Sequence, residues 1–269
     1  DRFLYLIQEY EPITVPEGKW RELAEDSYGF EHAALFSTDF LENFFSSRKL
    51  GVFSGEPEAE PPVSLVFRNA ITEVPAPDEA ELGSRDPKRL LFYARPEAHA
   101  ERNLYDLGLE ALKAAVARGV FAGGWQIDGI GSTGETRRVD LGSGMKLEVL
   151  PRTGQQAYAG FLAAHDLGLA LMDAPHPSLV PIEMASAGML TVTTTYEGRT
   201  PEAMAAISAN LIAVAPDVDS LVEGLAEAVA RSADAVARVA AADVDWSRNW
   251  RDAFSDRLLA SAVSALGFE

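Results

Sequence analysis

Short apolar runs alternate with longer amphipathic segments along most of the chain. The longer segments repeat their apolar positions at helical spacing, whereas the short runs have the length of buried strands. This alternation is typical of β-α-β units around a parallel sheet, so it predicts an α/β fold. The predicted strands lie near residues 3–8, 33–36, 64–67, 90–94, 123–127, 146–150, 167–172, 189–194 and 211–214. The predicted helices lie near residues 19–29, 38–49, 102–119, 154–164, 180–187, 201–206, 217–231, 234–242 and 247–265.

Two polar stretches, 54–62 and 73–88, interrupt this alternation. Both are rich in Pro, Glu and Asp and show no apolar period, so they are predicted to be surface connections. We place a domain boundary near residue 85. Residues 1–85 hold only about three predicted strands and open inside one of them without a Met, so we expect the C-terminal part of a Rossmann-like domain whose earlier sequence is missing. Residues 86–245 would form a complete second Rossmann-like domain, and the apolar helix in 246–269 would pack back on the first.

Charge and composition disfavour several classes of function. The chain has 41 acidic and 23 basic residues and a net charge of −18, which disfavours a nucleic-acid partner. It has no cysteine, and its four histidines lack the spacing of a metal site, so we expect no metal. We find neither an apolar run long enough to span a membrane nor a basic leader before an apolar stretch. We therefore expect a cytoplasmic protein without a transmembrane segment.

The first candidate site follows the predicted strand near 90–94. Arg95 comes directly after this strand, and Arg102 and Asn103 open the next predicted helix. In open α/β sheets ligands bind at the carboxyl ends of the strands, where two guanidinium groups and a helix N-terminus could hold a diphosphate. Alternatively, both arginines pair with the nearby carboxylates of Glu97, Glu101 or Asp106.

The second candidate site is a proline-rich loop between a predicted strand and a predicted helix. Prolines 175, 177 and 181 restrict this loop, so His176 and Ser178 would be held in place before ligand binding. Ser178 could cap the helix or meet an oxyanion, and Glu183 in the first turn could accept hydrogen bonds from a ribose. Alternatively, His176 is bonded to a neighbouring carbonyl and Glu183 is a surface residue that the helix dipole favours.

Two weaker candidates follow other strands at the same edge of the sheet. Arg152 could contact phosphate or base, or it could be a solvated arginine before a helix capped by Thr153. Tyr196 and Arg199 lie in another such loop and could line the site or be ordinary loop residues. The motifs GxxxxGK[ST] and GxSxG are absent, which weakens P-loop and serine-hydrolase interpretations. The spacing GxGxxG occurs once, at residues 129–134, but no predicted helix follows it, so we discount this glycine-rich stretch as a phosphate-binding loop and the dinucleotide interpretation stays weak.

Three segments together resemble a known enzyme family. They are "YLIQEYEP", "FYARP" with the following "RN" and "LGLEAL", and "PHPSLVPIEMASAG". They are similar to GT-B glycosyltransferases and, more narrowly, to WsaF-like bacterial rhamnosyltransferases of surface-polysaccharide assembly, which use dTDP-rhamnose. The resemblance implies two Rossmann-like domains with parallel sheets, a nucleotide-sugar donor, a glycan or lipid-linked glycan acceptor, and no metal or other cofactor. It also implies cytoplasmic transfer, which could take place at the inner face of a membrane.

The same resemblance implies residue roles. Arg95 and Arg102 would hold the donor diphosphate, His176 and Ser178 would line the donor site, and Glu183 would bind the ribose. His176 and Arg95 are the catalytic candidates, and Asn103, Arg152 and Tyr196 complete the predicted donor site. The superfamily pattern of two glutamates separated by seven residues is only half present, since Pro175 occupies the first position, and His176 is the candidate substitute. Two alternatives stay open: a UDP- or GDP-sugar donor, and a catalytically silent nucleotide-binding fragment or subunit.

Overall fold

The computed structural model describes residues 3–55, 62–132, 134–151 and 153–267. Its strands are β1 (Leu4–Ile7), β2 (Ala33–Phe36), β3 (Ser64–Val66), β4 (Lys88–Tyr93), β5 (Trp125–Ser132), β6 (Arg137–Gly142), β7 (Met145–Pro151), β8 (Leu167–Leu169), β9 (Leu190–Thr194) and β10 (Leu211–Val214). Its α-helices are α1 (Lys19–Ser27), α2 (Asp39–Ser47), α3 (Glu79–Ser84), α4 (Tyr105–Ala117), α5 (Gln155–Ala163), α6 (Val180–Ser186), α7 (Pro201–Ile207), α8 (Val218–Arg231), α9 (Ala235–Ala240), α10 (Trp250–Ala253) and α11 (Asp256–Ala265). Short 3-10 turns lie at Glu11–Thr14, Gly51–Phe53 and Ala98–Asn103.

The strands form two sheets. The first sheet is parallel and has the order β1-β2-β3, and the second has the order β10-β9-β8-β4-β5-β7-β6. Every pairing in the second sheet is parallel except that of β6 with β7. The central strands are covered on both faces, which explains their continuous apolar runs. Leu90 and Phe92 on β4 are completely buried with Leu112 of α4 and Leu225 of α8. The α/β class predicted from the sequence is confirmed.

Three elements differ from the prediction. Strand β6 was not predicted, and it forms an antiparallel hairpin with β7. Helix α3 lies within 73–88, which was predicted to be a connection; Asp78 caps it by accepting a hydrogen bond from Glu81 N at 2.8 Å. The predicted helix 247–265 is two helices, because the chain leaves the helical conformation at Phe254 and Ser255 caps a new helix.

The C-terminal segment contacts the first sheet and the chain that follows it. The ring centroid of Phe254 lies 4.6 Å from that of Phe67, which follows β3. The indole N–H of Trp246 donates to the carbonyl of Asn69 at 2.9 Å. The domain boundaries near residues 85 and 245 stay predictions. None of the helices in the described ranges is long and apolar enough to cross a membrane.

Candidate functional site

A cavity of about 250 Å³ lies between the two sheets, beside the carboxyl ends of β1, β4 and β8. Segments that follow strands of both sheets contribute its walls. The residues that line it are Gln8, Glu9, Asn69, Tyr93, Arg95, Arg102, Asn103, Met172, His176, Ser178 and Leu179. The cavity therefore brings together five of the predicted site residues: Arg95, Arg102, Asn103, His176 and Ser178.

His176 is held as a neutral hydrogen-bond donor. Its side chain is 8% exposed, and its Nδ1 accepts the backbone N–H of Ser178 at 3.0 Å. Burial, with the positive charges of Arg199 and Arg102, lowers the pKa of His176 to about 4. The ring proton therefore lies on Nε2, which has no hydrogen-bond partner among the described residues. The alternative that His176 is bonded to a neighbouring carbonyl is wrong, since its Nδ1 accepts a backbone N–H instead.

Ser178 turns the loop instead of capping the helix. Its φ is +62°, a left-handed conformation that directs its N–H back to His176. Helix α6 has Leu179 at its N-cap and no side-chain cap. The prediction that Ser178 caps this helix is therefore wrong; Ser178 lines the cavity, and its role in donor binding stays a prediction.

Arg199 fixes the conformation of the proline-rich loop that contains His176 and Ser178. Arg199 is 1% exposed, and its guanidinium donates to the carbonyls of His176 at 3.0 Å, Met172 at 2.6 Å and Thr194 at 2.8 Å. Burial lowers the pKa of Arg199 to about 10, which still leaves it charged at neutral pH. The loop is thus ordered by a cation that does not itself line the cavity.

Arg95 is positioned by three side chains. Its Nε donates to Glu97 at 3.2 Å, its Nη1 to the hydroxyl of Tyr93 at 3.2 Å, and its Nη2 to Nε2 of His99 at 3.1 Å. The ion pair with Glu97 considered from the sequence is present. Gly131 on β5 leaves room for this arrangement, because a Cβ there would lie 2.9 Å from Cδ of Arg95.

Arg102 pairs across the cavity. It lies in a 3-10 turn, not in the predicted helix, and its Nη2 donates to Oε1 of Glu9 at 3.1 Å. This partner follows β1 of the first sheet and is not one of the three carboxylates considered from the sequence. Asn103 ends the same turn and donates to the carbonyl of Ala100 at 3.1 Å.

The other predicted site residues lie elsewhere. Glu183 is 6% exposed, and its carboxylate accepts the N–H of Thr72 at 2.8 Å and the hydroxyl of Tyr158 at 2.7 Å. It is therefore not the surface residue of the alternative interpretation. Tyr196 packs near Phe44 in the aromatic cluster of the first sheet, with ring centroids 6.4 Å apart. Neither Glu183 nor Tyr196 lines the cavity, and their donor-binding roles stay predictions.

The structure does not describe Arg152. Its predicted contact with phosphate or base therefore lies outside the described residues. The helix that follows, α5, has Gly154 at its N-cap and no side-chain cap, so the alternative of a helix capped by Thr153 is wrong.

Sequence reasoning missed Gln8, Glu9 and Asn69. Gln8 and Glu9 follow an apolar strand directly, which is the signal that could have found them. Three residues around the cavity carry a buried polar atom without a partner in the described chain: Oδ1 of Asn69, Nε of Arg102 and Nε2 of His176. Buried polar atoms are normally paired, so these three atoms could form hydrogen bonds with a polar ligand or with water in the cavity. No three His, Asp or Glu side chains come together in the described ranges as a metal site would require.

Comparison with known proteins finds a sequence relative and several solved structures of similar fold. The chain is 29% identical over 201 residues to the O-antigen biosynthesis protein RfbC of Myxococcus xanthus, covering 70% of this chain but only 13% of RfbC. Among solved structures, TarM superimposes with a TM-score of 0.65 at 10% identity, covering 98% of this chain and 50% of TarM. WaaG, a glycosyltransferase involved in lipopolysaccharide biosynthesis, superimposes with a TM-score of 0.60 at 16% identity, covering 97% of this chain and 73% of WaaG.

These structural neighbours confirm the predicted GT-B type of fold. The family model of the WsaF C-terminal domain matches residues 88–226, which is just over half of the chain. The matched range includes the second sheet from β4 to β10, and it contains both arginines and the proline-rich loop. The chain therefore belongs to the family of the WsaF C-terminal domain.

Proposed function

We propose that the chain carries the donor site of a glycosyltransferase that transfers a sugar from a nucleotide diphosphate to a glycan acceptor in polysaccharide biosynthesis. The observation that carries this proposal is the unpaired Nε2–H of His176 in one cavity with Arg95 and Arg102. Family membership and the name of RfbC, an O-antigen biosynthesis protein, support the same class of reaction.

The main catalytic effect in this proposal is stabilisation of the leaving group. When the bond between the anomeric carbon and the diphosphate oxygen breaks, the electron pair and its negative charge remain on the diphosphate. Arg95 and Arg102 would neutralise this charge, and His176 would donate a hydrogen bond from Nε2. Donors held in place before the reaction stabilise such charge without reorganising. Because the arginines supply the positive charge, we propose that transfer needs no metal and no other cofactor.

We propose dTDP-rhamnose as the donor, on the resemblance of the proline-rich loop and the "FYARP" segment to rhamnosyltransferases. A glycan or lipid-linked glycan would be the acceptor, and transfer would occur in the cytoplasm. UDP is the principal alternative nucleotide, because the structural neighbours GtfA and HepE were solved in complex with UDP. The TM-scores are 0.55 for GtfA and 0.60 for HepE.

Calorimetry with dTDP, UDP and GDP tests the proposal. We expect one nucleoside diphosphate to bind, and Arg95→Ala to weaken it by roughly 10- to 100-fold, the worth of hydrogen bonds to a charged group. Arg138→Ala is the control, because this arginine lies on the exposed face of β6, away from the cavity. Unchanged affinity for the nucleoside diphosphate in Arg95→Ala would contradict the assignment of this cavity as the donor site. Nucleotide binding without any transfer by this chain would favour a silent nucleotide-binding part instead.

A further inference from the structure

Glu9 is the one carboxylate among the described residues that line the cavity. It follows β1 of the first sheet, whereas Arg95, Arg102 and His176 all come from the chain around the second sheet. Its Oε1 lies 3.1 Å from Nη2 of Arg102. An acidic side chain at this place is unexpected in a site proposed to bind a diphosphate, since like charges repel.

The ion pair between Glu9 and Arg102 is only partly buried. The side chain of Glu9 is 32% exposed and that of Arg102 is 29% exposed, so the pair is weak and can be exchanged. Burial raises the pKa of Glu9, and the charge of Arg102 only partly offsets this. Arg102 also keeps a buried Nε without a partner in the described chain, so its hydrogen-bonding capacity is not used up by Glu9.

A carboxylate and a phosphate offer a guanidinium the same arrangement of two acceptor oxygens. Glu9 therefore occupies, at Nη2 of Arg102, a hydrogen-bonding position that an anionic ligand of the cavity could also use. We propose that Glu9 is a placeholder: it holds Arg102 in the empty site, and a bound diphosphate displaces it. This inference rests on the proposed function and adds that donor binding breaks an ion pair between the two sheets.

The exchange has a consequence for affinity. Each bound diphosphate must separate Arg102 from Glu9 or tolerate the Glu9 charge nearby, so the carboxylate opposes binding. Replacing it by an uncharged residue of the same shape removes this opposition. Glu9→Gln should then bind dTDP or UDP about three- to tenfold more tightly than the unchanged protein, from the usual strength of partly exposed charge pairs.

Calorimetry on the full chain and its variants tests the placeholder. The probes are dTDP, UDP, inorganic pyrophosphate, and the uncharged nucleosides thymidine and uridine. Glu9→Gln should tighten the phosphate-bearing probes and leave the nucleosides unchanged, and the gain should shrink as salt is raised. Glu101→Gln is the matched control, because it removes the same charge from an exposed position beside Arg102 and should not reproduce the gain.

Two results separate the possible failures. If the unchanged protein binds a nucleoside diphosphate but Glu9→Gln binds it equally or more weakly, the placeholder is wrong and the proposed function stands. If no nucleotide binds, the proposed function is wrong. The binding of inorganic pyrophosphate to the unchanged protein and to Glu9→Gln then tests the placeholder proposal by itself. No tightening of pyrophosphate by Glu9→Gln, or an equal gain in Glu101→Gln, overturns it.

Discussion

Protonation of His176 should destabilise the fold in mildly acidic solution. The pKa of His176 is lowered from 6.5 to about 4 by burial, so between these values the unfolded chain binds a proton that the folded chain excludes. The stabilising contribution is complete above pH 6.5 and is lost as the pH falls toward 4. With about 1.4 kcal/mol for each pH unit, the full loss is about 3 kcal/mol, of which about 2 kcal/mol falls between pH 7.5 and pH 5.

Urea denaturation at pH 7.5 and pH 5 measures this loss. Because carboxylates also titrate in acid, the informative quantity is the difference in pH dependence between the unchanged protein and His176→Asn. We expect the variant to lose about 2 kcal/mol less stability over this interval, whatever its stability at pH 7.5. Ser178→Ala is the control: it changes the same loop without removing a titrating group and should keep the full pH dependence. An identical pH dependence in His176→Asn and the unchanged protein would refute the conclusion that the folded state keeps this ring neutral.

The remaining predictions concern residues that position the walls of the cavity without lining it. Arg199→Leu should lower the free energy of unfolding by about 3 kcal/mol or more, because three buried carbonyls lose their donor; chemical denaturation measures this loss, and one below 1 kcal/mol would contradict it. Gly131→Ala should cost roughly 1–3 kcal/mol and weaken nucleotide binding, because φ is +109° and the new Cβ would lie 2.8 Å from Cε2 of Tyr93 and 2.9 Å from Cδ of Arg95. Gly144→Ala also has a positive φ of +80° but meets no atom within 4 Å, so calorimetry should show unchanged nucleotide affinity for this control and weaker affinity for Gly131→Ala.

The apolar pattern predicted the buried strands well and the exposed elements poorly. The runs at β2 and β10 match their predicted bounds, since strands covered on both faces must be apolar throughout. Strand β6 was not predicted because it is an edge strand with charged residues at half of its positions, and its hairpin with β7 determines its place. Helix α3 was not predicted because only Leu82 in it is buried, which leaves no apolar period. Asp78 followed three residues later by Glu81 is nevertheless a capping signal.

The candidate site, too, could be predicted only in part from the sequence. Arg95, Arg102 and His176 were predictable because each lies in a segment that follows a strand of one sheet. The pairing of Arg102 with Glu9 was not, because it joins residues 93 positions apart whose contact depends on how two sheets face each other. The buried environment of Glu183 was equally hidden, since its partner Thr72 follows the first sheet.

Strand β6 also has a consequence for solubility. The seven-stranded sheet ends at this strand, whose outer hydrogen-bonding groups could pair with a strand of another molecule. Arg137, Arg138 and Asp140 are exposed along it, and the pairing with β7 shifts register between Asp140 and Gly142. Charged side chains and an irregular backbone both disfavour the addition of a further strand. Substituting these charges with β-branched apolar residues should therefore promote edge-to-edge aggregation without altering the cavity at the carboxyl ends of the strands.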